Sequence, residues 1–347
     1  MSKLSVHLVT WNGARYLPHC FASLRAQTFR DWDLFVLDNG SADDSVAVIA
    51  RELEGFPVPA EFVRMTANTG FAAGHNMAIR RTTGAFVQLL NQDIVLAPEY
   101  FAHLVAVLDR IPDAGAAQGL LLHWAFDADA RGGGERTRVI DSMGLRVFRN
   151  RRVVDLCAGA EWMDDGMLAN APFEVFGVSG ALPMYRRAAL LDVGEGVPER
   201  SEFFDASFGS YKEDVDLAFR LRLRGWRSFC VPAARAWHHR TVAMPHADTN
   251  TAVAANRRAM PPSIRYHSYR NHLAVILKNE CTANVVRDWP WIAAYELRKI
   301  AYCVLHERDT LRAFRDLWRE IPTIRGKRRT IMARKRIRPT ELRRWFQ

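Results

Sequence analysis

Residues 84–108 read GAFVQLLNQDIVLAPEYFAHLVAVL and carry the clearest fold signal in the chain. The apolar run Phe86–Leu90 is typical of a buried strand, and the polar triplet Asn91–Asp93 ends it. Pro98 then stands where a helix begins, ahead of a second apolar stretch. The stretch therefore predicts a strand, a polar turn and a helix in succession.

Three earlier segments have the same organisation. LSVHLVTWNG at 4–13, WDLFVLDNGS at 32–41 and AEFVRMT at 60–66 each indicate a strand, and helical spacing follows the first two. A Gly-rich turn, NTGFAAG at 68–74, follows the third and leads to a helix through Arg81. Successive βα units imply a parallel sheet, whose ligands bind beyond the carboxyl ends of the strands. Asp38 and Asp93 both lie at such ends.

The second half of the chain is less regular. DADARGGGER at 127–136 predicts a flexible loop and LRVFRNRRVVDL at 145–156 a hairpin or edge insertion. FEVFGVSGALPMY at 173–185 and WRSFCVPAARAWHH at 226–239 resemble strands, the second ending in paired histidines. From Pro261 onward the chain is predicted to be helical.

The stretch FGSYKEDVDLAFRLRLRGW at 208–226 gathers three carboxylates at the start of a predicted helix. Helical spacing places Asp214 above Leu217, Ala218 and Leu221 on one face. Acidic side chains in a first turn interact favourably with the helix dipole, so these residues either start the helix or take part in chemistry. The segment alone leaves both possibilities open.

Composition predicts a folded cytoplasmic protein. The 347 residues are 49% hydrophobic, enough for one large domain with an appendage or two modest domains. The five cysteines are scattered without a C-x-x-C pair, which favours a reducing compartment. We expect no signal peptide and no membrane-spanning segment.

A cation site is indicated by side-chain chemistry. Asp93 follows one strand, and His238 and His239 end another. A carboxylate and an imidazole with open water positions suit Mg²⁺ or Mn²⁺. Either histidine could be the ligand, and Asp93 could instead be a simple turn residue.

The ordered segments VTWNG, LDNGSADDS, NTGFAAGHN, LLNQD, VSGALPMYRRAALLDVG, FFDASFGSYKEDVDLAFRLRLRGW and WHH resemble the inverting family-two glycosyltransferases of GT-A fold, and most closely their bacterial rhamnosyltransferase branch. RYHSYRNHLAVILKN at 265–279 resembles the family's next segment. The resemblance implies an α/β fold with a mixed, mostly parallel central sheet flanked by helices, and a helical C-terminal extension. It implies a catalytic domain at 1–260, divided into a nucleotide-binding half at 1–123 and an acceptor half at 124–260, and a helical basic region at 261–347.

The resemblance also implies roles for individual residues. Asp214 matches the catalytic base, and Asp93 matches the last position of the DXD motif, where it would bind the cation together with His238 or, alternatively, His239. Asn91 replaces the first aspartate of that motif, which removes one charge from the site. The implied donor-binding residues are Thr10, Asn12, Asp38, Asn91, Gln92, Asp93 and Gly180, and the implied acceptor-side residues are Ala181, Tyr211 and Glu213.

The expected reaction is transfer, with inversion, of L-rhamnose from dTDP-L-rhamnose to a cell-surface polysaccharide or lipid-linked glycan. A UDP-hexose or UDP-galactofuranose donor is the alternative, as is a catalytically degenerate binding scaffold. A dinucleotide oxidoreductase should carry G-x-G-x-x-G after the first strand, where this chain has TWNGARYL. A nucleotidyltransferase would need a Gly-rich N-terminal loop, which the sequence lacks.

Positive charge is concentrated at the C-terminus. Residues 298–347 hold 16 of the 48 Lys and Arg and only 5 of the 38 Asp and Glu. In LRAFRDLWREI at 311–321, Leu311, Phe314, Leu317, Trp318 and Ile321 form an apolar stripe beside arginines. A dense basic cluster, RGKRRTIMARKRIRPTELRRWF at 325–346, follows the stripe. We expect this region, 311–346, to hold the protein on the inner face of the cytoplasmic membrane rather than to bind nucleic acid, with a possible homo-oligomer. The alternative is that the stripe packs on the catalytic domain or a second subunit.

Overall fold

The first half of the chain forms the parallel part of the sheet, as predicted. The computed structural model describes residues 2–130, 132–164, 171–196, 201–240, 257–258 and 260–347. Strands β3, β2, β1 and β4 lie side by side in that order and are parallel. Their bounds are Leu4–Thr10 for β1, Trp32–Asp38 for β2, Ala60–Arg64 for β3 and Phe86–Asn91 for β4. Helices α1 Leu17–Arg25, α2 Ser45–Leu53, α3 Phe71–Arg81 and α4 Tyr100–Arg110 follow these strands.

Helix α3 begins earlier than the sequence predicts. It starts at Phe71, inside the segment expected to be a Gly-rich turn. A Cβ atom on Gly74 would lie only 3.1 Å from a methyl group of Val9 and 3.2 Å from one of Leu37. This glycine therefore allows the helix to approach the sheet closely and does not mark a turn.

The second half adds antiparallel strands to the same sheet. The full order is β10-β12-β6-β11-β4-β1-β2-β3, with β5 paired to β12 and β7 to β6. Residues 134–136 of the predicted loop belong to β7, whereas β8 and β9 form the predicted hairpin. The bounds are β5 Ile94–Leu96, β6 Ala114–Phe126, β7 Gly134–Ser142, β8 Leu145–Val147, β9 Val153–Asp155, β10 Phe173–Val175, β11 Met184–Arg186 and β12 Arg227–His238.

Six helices complete the described chain: α5 Arg187–Val193, α6 Glu213–Leu223, α7 Pro262–Asn279, α8 Thr282–His306, α9 Arg312–Ala333 and α10 Pro339–Arg343. Helix α6 is the predicted carboxylate helix, and Leu217, Ala218 and Leu221 on its predicted face are buried. Gly225, at φ 89°, follows its end. The mixed α/β sheet with a helical C-terminal region confirms the expected fold class.

The basic C-terminal segment packs on α6. Val215, Phe219 and Leu223 of α6 share one hydrophobic cluster with side chains from the last two helices and the end of the chain, namely Leu317, Ile324, Ile331, Leu342 and Phe346. Apolar side chains of residues 324–346 thus pack on helix α6, and the predicted membrane stripe is divided between packed and exposed residues. Leu317 is buried, whereas Phe314 and Trp318 are exposed.

Across the described residues, no helix combines the length and apolar character needed to cross a bilayer.

Candidate active site

The loops after β1 and β2 are joined by hydrogen bonds at the carboxyl edge of the sheet. Thr10 lies opposite Asp38 in the parallel register. The backbone N–H of Asn12 donates to Ser41 Oγ at 2.9 Å, and Asn12 Oδ1 accepts from the backbone N–H of Ala42 at 2.9 Å. Asn12 has φ 50°, which turns the first loop toward the second. Thr10 and Asn12 thus lie where the two loops meet at this edge of the sheet.

Asp38 is fully buried yet only partly satisfied. Its Oδ2 accepts the backbone N–H of Ser41 at 3.2 Å, whereas its Oδ1 has no hydrogen-bond partner among the described residues. A buried acceptor without a donor costs about 1–3 kcal/mol. A ligand hydroxyl or amine donating to Oδ1 would remove that cost.

Asn91 and Gln92, at the end of β4, form hydrogen bonds with the loop after β1 and with Ala181. The Gln92 amide oxygen accepts from the hydroxyl of Thr10 and from the backbone N–H of Trp11, and its amide nitrogen donates to the Trp11 carbonyl at 3.2 Å. The backbone N–H of Asn91 donates to the Ala181 carbonyl at 3.2 Å. The Gln92 side chain is therefore engaged within the protein.

The structure brings the Asp93 carboxylate to the ring of His238, whereas His239 contacts Asp93 only through a backbone hydrogen bond of 2.9 Å among the described contacts. His238 Nε2 lies 3.5 Å from Asp93 Oδ1. Successive strand residues point to opposite faces, and the ring of His239 packs instead near Tyr16 while its Nδ1 lies 3.1 Å from the Trp124 carbonyl oxygen. Of the two alternatives left open by the sequence, the geometry favours His238.

A second carboxylate, Asp141, holds the other side of the His238 ring. Its Oδ2 lies 2.8 Å from His238 Nδ1, and its Oδ1 pairs with Arg240 at 2.6 Å. Arg240 pairs in turn with Asp155 at 2.8 Å. Burial lowers the pKa of His238, but Asp93 and Asp141 outweigh it and raise that pKa to about 10. The two carboxylates thus favour the protonated ring, and a metal ion that bound Nε2 would displace the proton there.

Asp214 lies at the start of α6 with both oxygens bonded. Oδ2 accepts the backbone N–H of Gly180 at 2.9 Å, and Oδ1 accepts that of Val215 at 2.7 Å. Ala181, next to Gly180, accepts the N–H of Asn91. The dipeptide Gly180–Ala181 therefore spans from Asp214 to the strand end that carries Asp93. Gly180 itself contacts the base candidate.

The carboxylates beside Asp214 differ in their surroundings. Burial raises the pKa of Glu213 to about 8, with a further contribution from the charge of Asp214. Burial also raises the pKa of Asp214, opposed by Lys212 and by the two N–H donors. Asp216 is fully buried and accepts from Arg220 at 2.9 Å and Asn279 at 2.6 Å, which is a structural role. Near neutral pH, Glu213 keeps its proton and leaves one negative charge on the adjacent pair.

Two consecutive left-handed residues precede α6. Tyr211 has φ 70° and Lys212 has φ 72°, a conformation that costs about 1–3 kcal/mol per non-glycine residue. Asn271 of α7 is fully buried and donates its amide N–H groups to the carbonyls of Phe208 at 2.9 Å, Ser210 at 3.0 Å and Tyr211 at 2.7 Å. This side chain fixes the turn that orients Glu213 and Asp214.

Asp141, Arg240 and Asn271 were not identified from the sequence. Asp141 ends an edge strand in the irregular segment, and Arg240 follows the paired histidines. Asn271 lies in RYHSYRNHLAVILKN, the segment that resembles the family, and its polar side chain there was the one available signal.

Asp93 and His238 form a donor set that fits a divalent cation. Among the residues described, no group of three or more His, Cys, Asp or Glu side chains is arranged to hold a metal ion. Mg²⁺ and Mn²⁺ sites commonly use one or two protein ligands and complete the shell with water and substrate phosphates. The Asp93 side chain is 15% exposed and keeps that side open. Asp141 fixes the orientation of the His238 ring through Nδ1, as a carboxylate behind a metal-binding histidine does.

The amino-acid sequence matches known glycosyltransferase families. Glycosyl transferase family 2 matches residues 5–150, and glycosyl transferase family group 2 matches residues 86–244. An N-acetylglucosaminyl-diphospho-decaprenol L-rhamnosyltransferase of Mycobacterium tuberculosis is 26% identical over 68% of this chain and 76% of its own. An N-acetylglucosaminyltransferase of Mesorhizobium japonicum is 28% identical over 64% of this chain. This chain spans about half (47%) of that relative's length.

Solved structures share the fold at low identity. Residues 1–349 of S. aureus TarS with UDP-GlcNAc align over 95% of this chain and 89% of that one, with a TM-score of 0.53 and 15% identity. GalNAc-T7 with UDP, GalNAc and Mn²⁺ aligns over 80% of this chain and 49% of that one, with a TM-score of 0.58 and 14% identity. Glycosyl transferase family models thus match this chain over residues 5–244, and solved glycosyltransferases share its fold.

Proposed function

We propose that this glycosyltransferase moves a sugar from a nucleotide diphosphate to a glycan hydroxyl with inversion, using Asp214 as general base. The observation that carries the proposal is the path from Asp93 through Asn91 and Gly180–Ala181 to Asp214. It joins a candidate diphosphate and cation position to a buried carboxylate at one edge of the sheet. Such edges are where ligands bind in α/β proteins.

In the proposed reaction, the acceptor oxygen attacks the anomeric carbon as the bond from that carbon to the diphosphate oxygen breaks on the opposite face. Asp214 accepts the proton of the attacking hydroxyl. The N–H groups of Gly180 and Val215 aim its carboxylate, and protonated Glu213 spares it a second neighbouring negative charge. Inversion follows from one displacement.

Asp93 and His238 are the residues that would hold Mg²⁺ or Mn²⁺. When bound, the cation would supply positive charge to the departing diphosphate. Asp141 keeps the His238 ring oriented toward Asp93. GalNAc-T7 and a mannosyltransferase from Pyrobaculum calidifontis, both similar in fold, were solved with Mn²⁺, which supports divalent cation use here.

The nucleoside would lie over the joined loops after β1 and β2, where Asp38 Oδ1 lacks a donor. We propose dTDP-L-rhamnose as the donor because the mycobacterial relative is named as an L-rhamnosyltransferase. UDP-GlcNAc is the second candidate, since the rhizobial relatives are named N-acetylglucosaminyltransferases and TarS was solved with that donor. The acceptor is proposed to be a lipid-linked or cell-surface glycan, reached from the cytoplasmic face of the membrane.

A donor screen tests the reaction. Release of the nucleoside diphosphate should be fastest with dTDP-L-rhamnose, compared with UDP-GlcNAc, UDP-galactofuranose and GDP-mannose, each assayed with and without Mn²⁺. Product NMR should show the anomeric configuration opposite to the donor's. Retained configuration would refute the single displacement, and a preference for UDP-GlcNAc would replace the proposed donor.

Asp214→Asn should lower turnover by about 10²–10⁴-fold, because an amide cannot take the acceptor's proton. Donor affinity by calorimetry should stay near that of the parent protein. Asp109→Asn is the control, since Asp109 pairs with Lys3 at the amino-terminal edge of the sheet and should not affect turnover. Turnover of Asp214→Asn close to the parent's would assign the base elsewhere.

Asp93→Ala and His238→Gln should each weaken donor binding in Mn²⁺ and leave donor binding in a chelator little changed. His239→Gln is the matched variant, because that ring faces Tyr16 and Trp124 and away from Asp93. Calorimetry with a UDP-sugar and a dTDP-sugar, in Mn²⁺ and in chelator, measures the part of the donor affinity that depends on the cation. If His239→Gln and not His238→Gln removed it, the ligand assignment would be reversed.

Asn271→Ala should lower kcat by about 10- to 100-fold with little change in donor affinity, because release of the left-handed turn misplaces Asp214. Asn279→Ala provides the control: Asn279 is an equally buried asparagine of α7, but it bonds the structural Asp216. Both variants should lower the free energy of unfolding in urea. A loss of kcat equal in the two would make Asn271 merely structural.

A further inference from the structure

We propose that helix α8 is the membrane-docking face of this protein and binds anionic lipid bilayers. Its outer surface is apolar and positively charged, whereas the sequence had placed this role in residues 311–346. The proposal rests on the proposed function only in that a lipid-linked acceptor gives the contact a purpose. Lipid binding itself is independent of which sugar is transferred.

Exposed large apolar side chains are concentrated around α8. Of the 14 such residues in the described parts of the chain, 9 lie between residues 277 and 318. At about 100° per residue, several apolar positions of α8 fall on one side of the helix. That stripe, here called the α8 stripe, consists of Val286, Trp289, Ala293, Leu297, Ile300 and Val304.

The α8 stripe lies opposite the face that packs on the protein. Only Asn284, Asp288 and Cys303 of this 25-residue helix are buried. Trp289 is 62% exposed, and Leu297 is 66% exposed. A helix that turns its apolar stripe to solvent and its polar residues inward reverses the ordinary arrangement of a surface helix. An apolar patch of this kind marks an interaction surface.

The charges on α8 indicate which kind of partner binds the α8 stripe. Its acidic residues face inward: Asp288 pairs with Arg343 at 2.7 Å, and Glu296 pairs with His272 at 2.8 Å. Arg287 and Arg298 are exposed beside the stripe, and neither forms an ion pair with any of the described residues. A second copy of the chain would bring these arginines against their equivalents without a carboxylate between them. An anionic bilayer accepts both the apolar stripe and the guanidinium groups.

The opposite face of α8 reaches the candidate active site. Tyr295 and Lys299 lie close enough to influence the pKa of Lys212, the residue before Glu213 and Asp214. Since a helix with its side chains is about 10 Å across, a bilayer on the α8 stripe would lie at least that far from the head of α6. An acceptor anchored in the bilayer would have to extend past α8 to reach Asp214.

Vesicle sedimentation of the full-length chain tests the proposal. Phosphatidylcholine vesicles with and without about 30 mol% phosphatidylglycerol provide anionic and neutral surfaces, respectively. Trp289→Gln with Leu297→Gln should lower partitioning to anionic vesicles by about tenfold or more. Arg287→Gln with Arg298→Gln should remove the preference for anionic over neutral vesicles.

Leu191→Gln is the matched control, because Leu191 is 59% exposed on α5 and far from α8 in sequence. It should bind vesicles as the parent does. Equal binding by the parent and the Trp289/Leu297 variant would overturn the proposal. So would a parent dimer in sedimentation velocity that this variant dissociates, since a second copy would then cover the stripe.

Nucleoside diphosphate release without vesicles should be the same for the Trp289/Leu297 variant and the parent. This readout separates the two proposals: a parent that binds vesicles but turns over no donor contradicts the proposed function alone, and an active parent that ignores anionic vesicles contradicts the docking face alone. Truncation of residues 323–347 is not a suitable test, because it removes Ile324, Ile331, Leu342 and Phe346 from the core.

Discussion

The buried ammonium group of Lys278 is the interaction on which the arrangement of this protein depends. It lies 2.7 Å from Asp205, 2.8 Å from Glu195 and 3.0 Å from Asp216, and its side chain is 1% exposed. A buried charge that loses its partners costs about 3–5 kcal/mol, so the three carboxylates and the lysine must assemble together. Asp216 belongs to α6 and Lys278 to α7. Helix α6, which carries Asp214, therefore takes its position only when the C-terminal helix α7 packs against it.

The same logic explains how Asp214 acquires a defined direction. Its helix begins after two left-handed residues, a conformation that persists only where the surroundings impose it. Asn271 imposes it from α7, and the backbone N–H of Gly180 fixes the carboxylate from the other side. Two elements distant in sequence thus determine one side-chain position, and neither can do so alone. A general base must be held to within a fraction of an ångström to be effective.

The sequence predicted what periodicity and turn chemistry encode. Strands β1 to β4, the helices after them and the positions of Asp38 and Asp93 follow from apolar runs that end in polar turns. The role of Asp214 came from resemblance, whereas a cation site at Asp93 with His238 or His239 was already indicated by side-chain chemistry, and both roles stay predictions. Asp141 and Asn271 could not be found this way, because each acts through contacts with residues distant in sequence, such as His238, 97 positions from Asp141, and Tyr211, 60 positions from Asn271, and such contacts have no period. The C-terminal stripe shows a related limit: Leu317 and Trp318 are neighbours in sequence, but tertiary packing buries one and exposes the other.

The charges around the candidate site favour a cation accompanying the donor. Asp93, Asp141, Asp155 and Asp214 meet at this edge, and among the cationic groups nearby the guanidinium of Arg240 bonds Asp141 and Asp155. Burial lowers the pKa of Arg240, while Asp155, Asp141 and Asp214 together raise it, so its charge is held by these carboxylates. A nucleotide diphosphate entering beside Asp93 would add further negative charge to a region whose positive groups are already paired. A divalent cation between Asp93 and the diphosphate would offset that repulsion, although Asn91 in place of an aspartate leaves the cation one carboxylate fewer to bind.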